Sequence, residues 1–311
     1  MHGYLKGYYW YKNFGDEVLL LWIIPRLFTN TDVTFLSIEA DDVSRLQERL
    51  TRHNNLPSLL PYSSQIAVVP KHAVAAVRPD HLFFGGGEVL TDGRPFPYNG
   101  RNHLFRYFSW IMSWNYTLLG GIWTPKKILS SRLRKLLLSH TDHVIVREKH
   151  SYDVALHFTQ KDHITLYHDF ALDILTTLPD VSHREAQSIP QVLLNINPYI
   201  RSAETKEKLR QIAKTHRGES FRFFPAEYGV DDRYLDELKQ LFPNIQLFDW
   251  QNMHIDQIVK QISTFSFGVA ARLHVLVLLR FLQIPFEPLI YQEKITTFLQ
   301  TCFDESSSSS L

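Results

Sequence analysis

Hydrophobic and polar positions follow two alternating rhythms along most of the chain. Short runs of β-branched and aromatic residues, the mark of buried strands, are separated by longer stretches with helical apolar spacing. In the first half this pattern predicts strands at Tyr4–Tyr9, Val33–Ile38, Ile66–Val69, Leu82–Phe84, Tyr116–Leu119, His143–Val146 and Ile164–Leu166. Helices are predicted at Asp16–Phe28, Asp42–Arg52, Asn102–Ser113, Lys126–Ser139 and Lys149–Phe158. Asp16 can cap the first of them, with Glu17 in its first turn. From Leu178 to Pro190 the chain is polar, flanked by prolines and without a period, and reads as a linker. The rhythm then restarts. Strands at Val192–Ile196, Phe221–Phe224, Ile245–Phe248, Thr264–Val269 and Phe286–Ile290 alternate with helices near 203–216, 231–241, 254–262, 271–283 and 294–302.

Alternation of strand and helix over both halves predicts an α/β protein with two Rossmann-like parallel-sheet domains facing a cleft. The expected divisions are a first domain over 1–177, a linker over 178–190, a second domain over 191–305 and a Ser-rich tail over 306–311. In such sheets ligands sit outside the carboxyl ends of the strands, so the loops that follow strands are where chemistry is expected.

Composition narrows the partners. The 311 residues are 44% hydrophobic and 21% charged, enough for a full core in a soluble chain. Lys and Arg number 33 against 32 Asp and Glu, so no global field recruits nucleic acid or an acidic membrane, and an anion must be held by a local cluster. Cys302 is the sole cysteine, which excludes an intramolecular disulfide and a Cys-rich zinc site and suits a reducing cytosol. The first residues lack the basic start and apolar stretch of a secretory signal. The longest apolar run, Val18–Ile24, is too short to cross a bilayer.

Several post-strand loops carry candidate residues. The first strand leads into Lys12-Asn13-Phe14-Gly15-Asp16-Glu17, where Gly15 permits a tight turn and a capped helix offers backbone N–H groups to an anion; a plain turn and cap is the simpler account. The fourth leads into Gly85-Gly86-Gly87-Glu88, either a structural turn or a close approach of backbone to ligand. No full G-x-G-x-x-G and no following lysine–serine pair accompany it, so neither dinucleotide nor NTP binding is supported. Gly120-Gly121 is another glycine turn. Val146-Arg147-Glu148 sets an arginine at the mouth of the sheet, where a surface ion pair is the alternative, and His168-Asp169 follows the seventh strand. In the second half a strand leads into a segment ending in Asp231-Asp232, for which helix capping is the expected role.

The sharpest signal lies at Phe265–Leu279. A strand-like apolar run meets a helix-like one, and two polar side chains, Arg272 and His274, stand at the junction. A fixed cation beside a titratable imidazole at a strand-to-helix turn suits anion binding with proton transfer. A buried, satisfied histidine is the alternative account of His274.

Together these loops resemble the polysaccharide pyruvyltransferase family. The family's opening Gly-Tyr-Tyr-Gly-x-x-Asn-x-Gly-Asp-Glu pattern is similar to Gly7-Tyr8-Tyr9 with Asn13-Phe14-Gly15-Asp16-Glu17, although Trp10 replaces a glycine. Its glycine-rich turn resembles Gly85–Gly87, followed by Asp92, and its Val-Arg-Asp/Glu element resembles Val146-Arg147-Glu148 with Ser151. Its Arg-Leu-His signature is matched by Arg272-Leu273-His274. The late Gly-x-Pro and Tyr-x-x-Lys elements are echoed by Ile284-Pro285, where Gln283 replaces a glycine, and by Tyr291 with Lys294. The likeness runs from about residue 7 to about residue 299.

The resemblance implies a GT-B-like arrangement and transfer of a carboxyvinyl group from phosphoenolpyruvate to two hydroxyls of a glycan or lipid-linked oligosaccharide. Arg147 and Arg272 are then the expected cations for carboxylate and phosphate. His274 is the expected general acid, and Asp16 the acceptor-side base or orienting group. Asn13, Gly15, Gly85, Gly86, Gly87, Leu273 and Lys294 are expected to line the substrate. Phosphoenolpyruvate enters as co-substrate, and the chemistry calls for neither redox cofactor nor metal. The expected setting is cytoplasmic, either free or at the inner face of the membrane, and the aromatic stretch Phe105–Trp114 is either a core helix or a peripheral membrane contact. Two other readings share the architecture: a GT-B glycosyltransferase using a nucleotide-sugar, and a non-catalytic glycan-binding protein.

Overall fold

The computed structural model describes residues 1–7, 9, 12–53, 56, 59–71, 73–90, 115–122, 128–146, 148–167, 190–197, 202–290, 295–296 and 298–300. The expected helix Asn102–Ser113, the aromatic stretch, Asp92, the linker up to residue 189 and the tail lie outside those residues, as do Arg147, His168, Asp169 and Lys294. The chain divides into two compact units. Unit 1 comprises Met1–Tyr11 and Asp16–Ile174; unit 2 comprises Lys12–Gly15 and Leu175–Leu311.

Unit 1 is built from β1 (His2–Lys6), α1 (Phe14–Asn30), β2 (Phe35–Ala40), α2 (Val43–His53), β3 (Ile66–Pro70), α3 (Val74–Val77), β4 (His81–Leu90), β5 (Asn115–Ile122), α4 (Ile128–Leu138), β6 (His143–Val146), α5 (Lys149–Leu156) and β7 (Ile164–Leu166). Its sheet has the order β3-β2-β1-β4-β5-β6-β7, and every pairing is parallel. The strands read as apolar runs because both faces are covered: Leu5, Leu36, Ile38, Leu82, Leu118 and Val144 are all buried. Burying each such side chain contributes about 1.5–3 kcal/mol.

Unit 2 contains β8 (Gln191–Asn195), α6 (Ala203–Thr215), β9 (Ser220–Phe223), α7 (Leu235–Lys239), β10 (Gln246–Leu247), α8 (Ile255–Ile262), β11 (Phe267–Ala270), α9 (Leu273–Phe281) and β12 (Phe286–Pro288). Its sheet runs β10-β9-β8-β11-β12, again parallel throughout. Ser202 caps α6 by accepting the Thr205 N–H at 3.1 Å. The middle of α9, Val275–Leu279, is apolar on every side and fully buried, with His274 and Arg280 at its two ends.

In each sheet the strand order reverses once, between β1 and β4 in unit 1 and between β8 and β11 in unit 2. Such a switch point leaves a crevice at the carboxyl ends of two strands whose following segments diverge.

Several boundaries depart from the sequence reading for identifiable reasons. The expected glycine turns are not turns: Gly85–Gly87 lie inside β4 and Gly120-Gly121 inside β5. The register between these strands shifts between Gly85 and Glu88, and a Cβ on Gly85 would stand 1.7 Å from the Leu119 carbonyl oxygen. The glycines allow a bulged strand to continue where a side chain would part it from its neighbour. The first strand ends at Lys6 rather than Tyr9, with a bend at Gly7, whose Cα lies against the Gly85 carbonyl and the ring of Tyr9. The α1 helix begins at Phe14, so Asp16 sits inside its first turn and is not its cap. Asn13 takes that place, its side-chain oxygen accepting the Gly15 N–H at 3.0 Å. The 231–241 segment is a 3-10 turn over Asp232–Tyr234 followed by the short α7.

At the far end of α9, Gln283 has φ 53°, the left-handed conformation that favours glycine. Its N–H reaches the Arg280 carbonyl and the Ile284 N–H reaches that of Leu279, both at 3.0 Å. This is a Schellman ending, which explains why a glycine would suit the position that Gln283 occupies.

Candidate functional site

Asn195 ends β8 and pairs in register with Ala270, the last residue of β11. Its side chain is fully buried, donates to the Phe224 carbonyl at 2.9 Å and accepts the Ala271 and Arg272 N–H groups at 3.3 and 2.9 Å. One amide therefore ties the ends of β8, β9 and β11 together and fixes the turn into α9. Arg272 is extended at φ −92°, ψ 131°, and the helix starts only at Leu273. Arg272 thus leaves from the turn itself, while His274 is the second residue of α9.

The Arg272 guanidinium is engaged by two carboxylates. Asp231 accepts from Nε at 3.2 Å and from Nη2 at 2.5 Å, and Glu227 accepts from Nη2 at 2.9 Å. Asp231 is fully buried and also accepts the Glu227 N–H at 3.0 Å. Burial pushes its carboxyl above the ordinary value, while the hydrogen bonds and charge of Arg272 pull the other way. The expected capping role is therefore wrong for Asp231, whose carboxylate makes no cap bond to the 3-10 turn. Asp232 instead accepts the Gly229 N–H at 2.5 Å.

The segment Lys12–Gly15 completes the cluster within unit 2. Phe14 N–H donates to the Ala226 carbonyl and Tyr228 N–H to that of Lys12, both at 2.8 Å, and Asn13 forms a β-bridge with Glu227. The Phe14 ring is buried edge-on against Phe224 and Trp250, with centroids 5.2 and 5.8 Å away. Trp250 is itself fixed by its Nε1–H donating to the Pro225 carbonyl at 2.7 Å. Next to Phe14, the Cα of Gly15 faces His274: a Cβ there would fall 2.1 Å from Nδ1. Asn13, Gly15, Glu227, Asp231, Arg272 and His274 thus form one neighbourhood at the switch point of unit 2. Arg272 and His274 are half-buried, and Leu273 is 6% exposed.

The family model for polysaccharide pyruvyl transferase matches residues 13–278. The chain belongs to that family. The match opens at Asn13 and closes four residues beyond His274, so it spans both parts of the cluster. A search of curated proteins gave no match. Among solved structures, the UDP-GlcNAc 2-epimerase of Neisseria meningitidis bound to UDP-GlcNAc is similar at 12% identity and a TM-score of 0.62, over 96% of this chain and 85% of that one. The UDP-N-acetylglucosamine 2-epimerase of Rickettsia bellii gives 11% identity and a TM-score of 0.60, over 94% and 79%. Anabaena HepE in complex with UDP-glucose gives 12% and 0.56, over 98% and 90%. At these identities the likeness is one of fold. The 2-epimerases have the GT-B fold, in agreement with two parallel α/β sheets here.

Of the other expected residues that the structure describes, Asp16 and Gly85–Gly87 belong to unit 1. Asp16 is half-buried in the first turn of α1, in unit 1. Burial, reinforced by the charge of Asp16, pushes the Tyr9 phenol well above its ordinary value and keeps it neutral. Glu17 is buried, with Arg49 donating through Nε to Oε2 at 3.1 Å and through Nη2 to Oε1, and with His53 Nε2 2.7 Å from Oε1. Burial acts to raise the Glu17 carboxyl, but His53 and Arg49 outweigh it and hold it below the usual range. The Asp-Glu pair of the sequence motif is thus split, with Glu17 fastening α1 to α2. Gly85–Gly87 lie toward the carboxyl end of β4, one of the two strands flanking the switch point of unit 1.

Sequence reasoning missed Asn195, Glu227 and the ion pair of Asp231. Asn195 had left a signal, since an amide interrupts the apolar run Val192–Ile196 where a buried strand ends. Glu227 had none, because a lone glutamate in a polar loop matches no local pattern. Among the described residues no group of three or more His, Cys, Asp or Glu is arranged to hold a metal ion, and no helix is long and apolar enough to cross a membrane.

Proposed function

We propose that the chain transfers the carboxyvinyl group of phosphoenolpyruvate to two hydroxyls of a glycan sugar, forming a pyruvate ketal and releasing phosphate. The acceptor is a glycan or lipid-linked oligosaccharide met in the cytoplasm, at the inner face of a membrane. The observation that carries this reading is the meeting of Asn13–Gly15 with Arg272–His274 at the carboxyl ends of β8 and β11, in a chain of the pyruvyl transferase family.

In the proposed sequence, Arg272 and Arg147, aided by Lys294, hold the donor's carboxylate and phosphate. His274 delivers a proton to the methylene carbon, and the first sugar hydroxyl adds to the adjacent carbon as it becomes electron-poor. Asp16 orients that hydroxyl or accepts its proton. The bond from carbon to phosphate oxygen then breaks, the second hydroxyl closes the ring, and its proton leaves with phosphate. One donor and one diol give one ketal and one phosphate. Gly15, packed on the imidazole, would hold the ring in the orientation the transfer needs, while Asn13, Leu273 and Gly85–Gly87 line the substrate.

The test is phosphate production from phosphoenolpyruvate across a panel of glycan acceptors, with mass analysis of the product for the ketal. His274→Ala is expected to abolish phosphate release while the fold is retained. Normal turnover in that variant would remove His274 from the mechanism. Thermal stabilisation by UDP-sugars but not by phosphoenolpyruvate would favour a nucleotide-sugar transferase instead.

A further inference from the structure

Arg272 presents an electrostatic puzzle for a donor that is itself an anion. One guanidinium faces two carboxylates, Asp231 and Glu227, so with all three ionised the trio carries a net negative charge. Such a trio repels an anion instead of attracting it. The two carboxylates are not equivalent. Asp231 is fully buried and makes three hydrogen bonds, two to the guanidinium and one to the Glu227 N–H. Pulling Arg272 away would strand that charge in the interior. The Glu227 side chain is 32% exposed and, among the described residues, makes one hydrogen bond, to Nη2 at 2.9 Å. Water can solvate it when it leaves.

We propose that the two carboxylates divide the handling of Arg272: Asp231 is a positioning residue that holds the guanidinium, and Glu227 is a displaceable gate that an anionic donor removes from Nη2. The identity of the donor rests on the function proposed above; the division of labour does not. The backbone of Glu227 is pinned on both sides, by the bridge to Asn13 and by the Asp231 N–H donating to its carbonyl at 2.8 Å. Displacement is therefore a rotation of one side chain, with no loop movement. The gate also sets a threshold. A ligand bearing both a phosphate and a carboxylate can compete with Glu227 for the guanidinium, whereas a neutral metabolite cannot.

Full-length wild type, Glu227→Gln and Asp231→Asn can be compared by calorimetric titration with phosphoenolpyruvate and with inorganic phosphate at fixed ionic strength, together with KM and kcat for phosphate release. Glu227→Gln keeps the shape and removes the competing charge. It is expected to tighten both anions about tenfold and to lower KM, a gain that structural damage cannot mimic. Asp231→Asn is expected to weaken both binding and turnover; because it alters a buried ion pair and can unfold the unit, the Glu227→Gln measurement decides. Unchanged or weaker anion binding in Glu227→Gln overturns the inference, as does binding of neither anion by either protein. If Glu227→Gln tightens inorganic phosphate while phosphoenolpyruvate is ignored, the gate stands and the proposed donor falls. Turnover of phosphoenolpyruvate with no tightening in Glu227→Gln has the opposite meaning.

Discussion

The Cα of Gly15 lies against the imidazole of His274, so close that a methyl group on Gly15 would stand 2.1 Å from Nδ1 and 2.9 Å from Cε1 and Cγ. Two motifs from opposite ends of the chain thereby share one surface within unit 2. The atoms that a larger residue would meet first belong to a side chain and not to the backbone. The imidazole would therefore yield before the fold does. Gly15→Ala is expected to reduce turnover by about a hundredfold, the usual penalty for misplacing a reacting group by about 1 Å. Thermal denaturation should show a much smaller change. Phosphate release and melting curves on the same preparation check this; retained turnover would detach Gly15 from the site.

Arg272→Lys tests the planar fork. An ammonium cannot span Nε and Nη2 toward Asp231 while also reaching Glu227. The variant is expected to lose about 2–4 kcal/mol of stability from the weakened buried pair, along with activity. Chemical denaturation gives the first quantity. Wild-type stability would mean that the ion pair contributes nothing net.

Glu17 should matter for folding and for its acid dependence. Removing its carboxylate in Glu17→Ala leaves Arg49 buried without that partner, at a cost of about 3–5 kcal/mol. Because the folded carboxyl titrates below its ordinary value of 4.5, its contribution is complete above that value and is lost as pH falls through the lower folded one. Glu17→Gln should therefore lack part of the wild type's loss of stability in that acid window. Denaturant titrations at several acid pH values read it directly, and parallel curves for the two proteins would contradict it.

Two glycines separate close approach from simple strain. Gly85→Ala puts a Cβ 1.7 Å from the Leu119 carbonyl oxygen, in a backbone at φ 148°. The β4–β5 ladder must part, and a loss of about 3 kcal/mol or more is expected. Gly218, at φ 101°, has open space around it, so Gly218→Ala should cost only about 1–2 kcal/mol of backbone strain. Similar losses from the two substitutions would refute the packing argument.

Gln283→Gly removes a side chain from a left-handed position in a Schellman ending. A gain of about 0.5–1 kcal/mol is expected by denaturant titration. A loss would show that contacts of the Gln283 side chain outweigh its backbone strain.

Much of the architecture was legible because strand and helix announce themselves over a few neighbouring residues. The apolar runs His143–Val146 and Ile164–Leu166 are strands with the expected ends, since no special residue confuses their limits. The ends of β4 and β5 were not legible. A triple glycine reads locally as a turn, and only the neighbouring strand shows that it is a close approach. Arg272 and His274 stood out because a polar pair interrupts two apolar periods, and the structure sets Arg272 at the turn between them and His274 in the first turn of α9. Asp231 misled for the complementary reason. An acid before a helical segment is locally a cap, and nothing in its neighbourhood in sequence reveals the guanidinium it meets.

The sequence by itself determined the alternation of strand and helix, the parallel α/β class that follows from it, and the junction after β11 as the place to look. These depend on propensities and burial patterns that act over short spans of chain. Only the tertiary structure decided that Lys12–Gly15 packs with unit 2, that Glu17 turns inward to Arg49 and His53, and that Asp231 and Glu227 close on Arg272. Those pairings follow from the register of β8, β9 and β11 and from which buried charge lies nearest, and charges meet through space without regard to their separation along the chain.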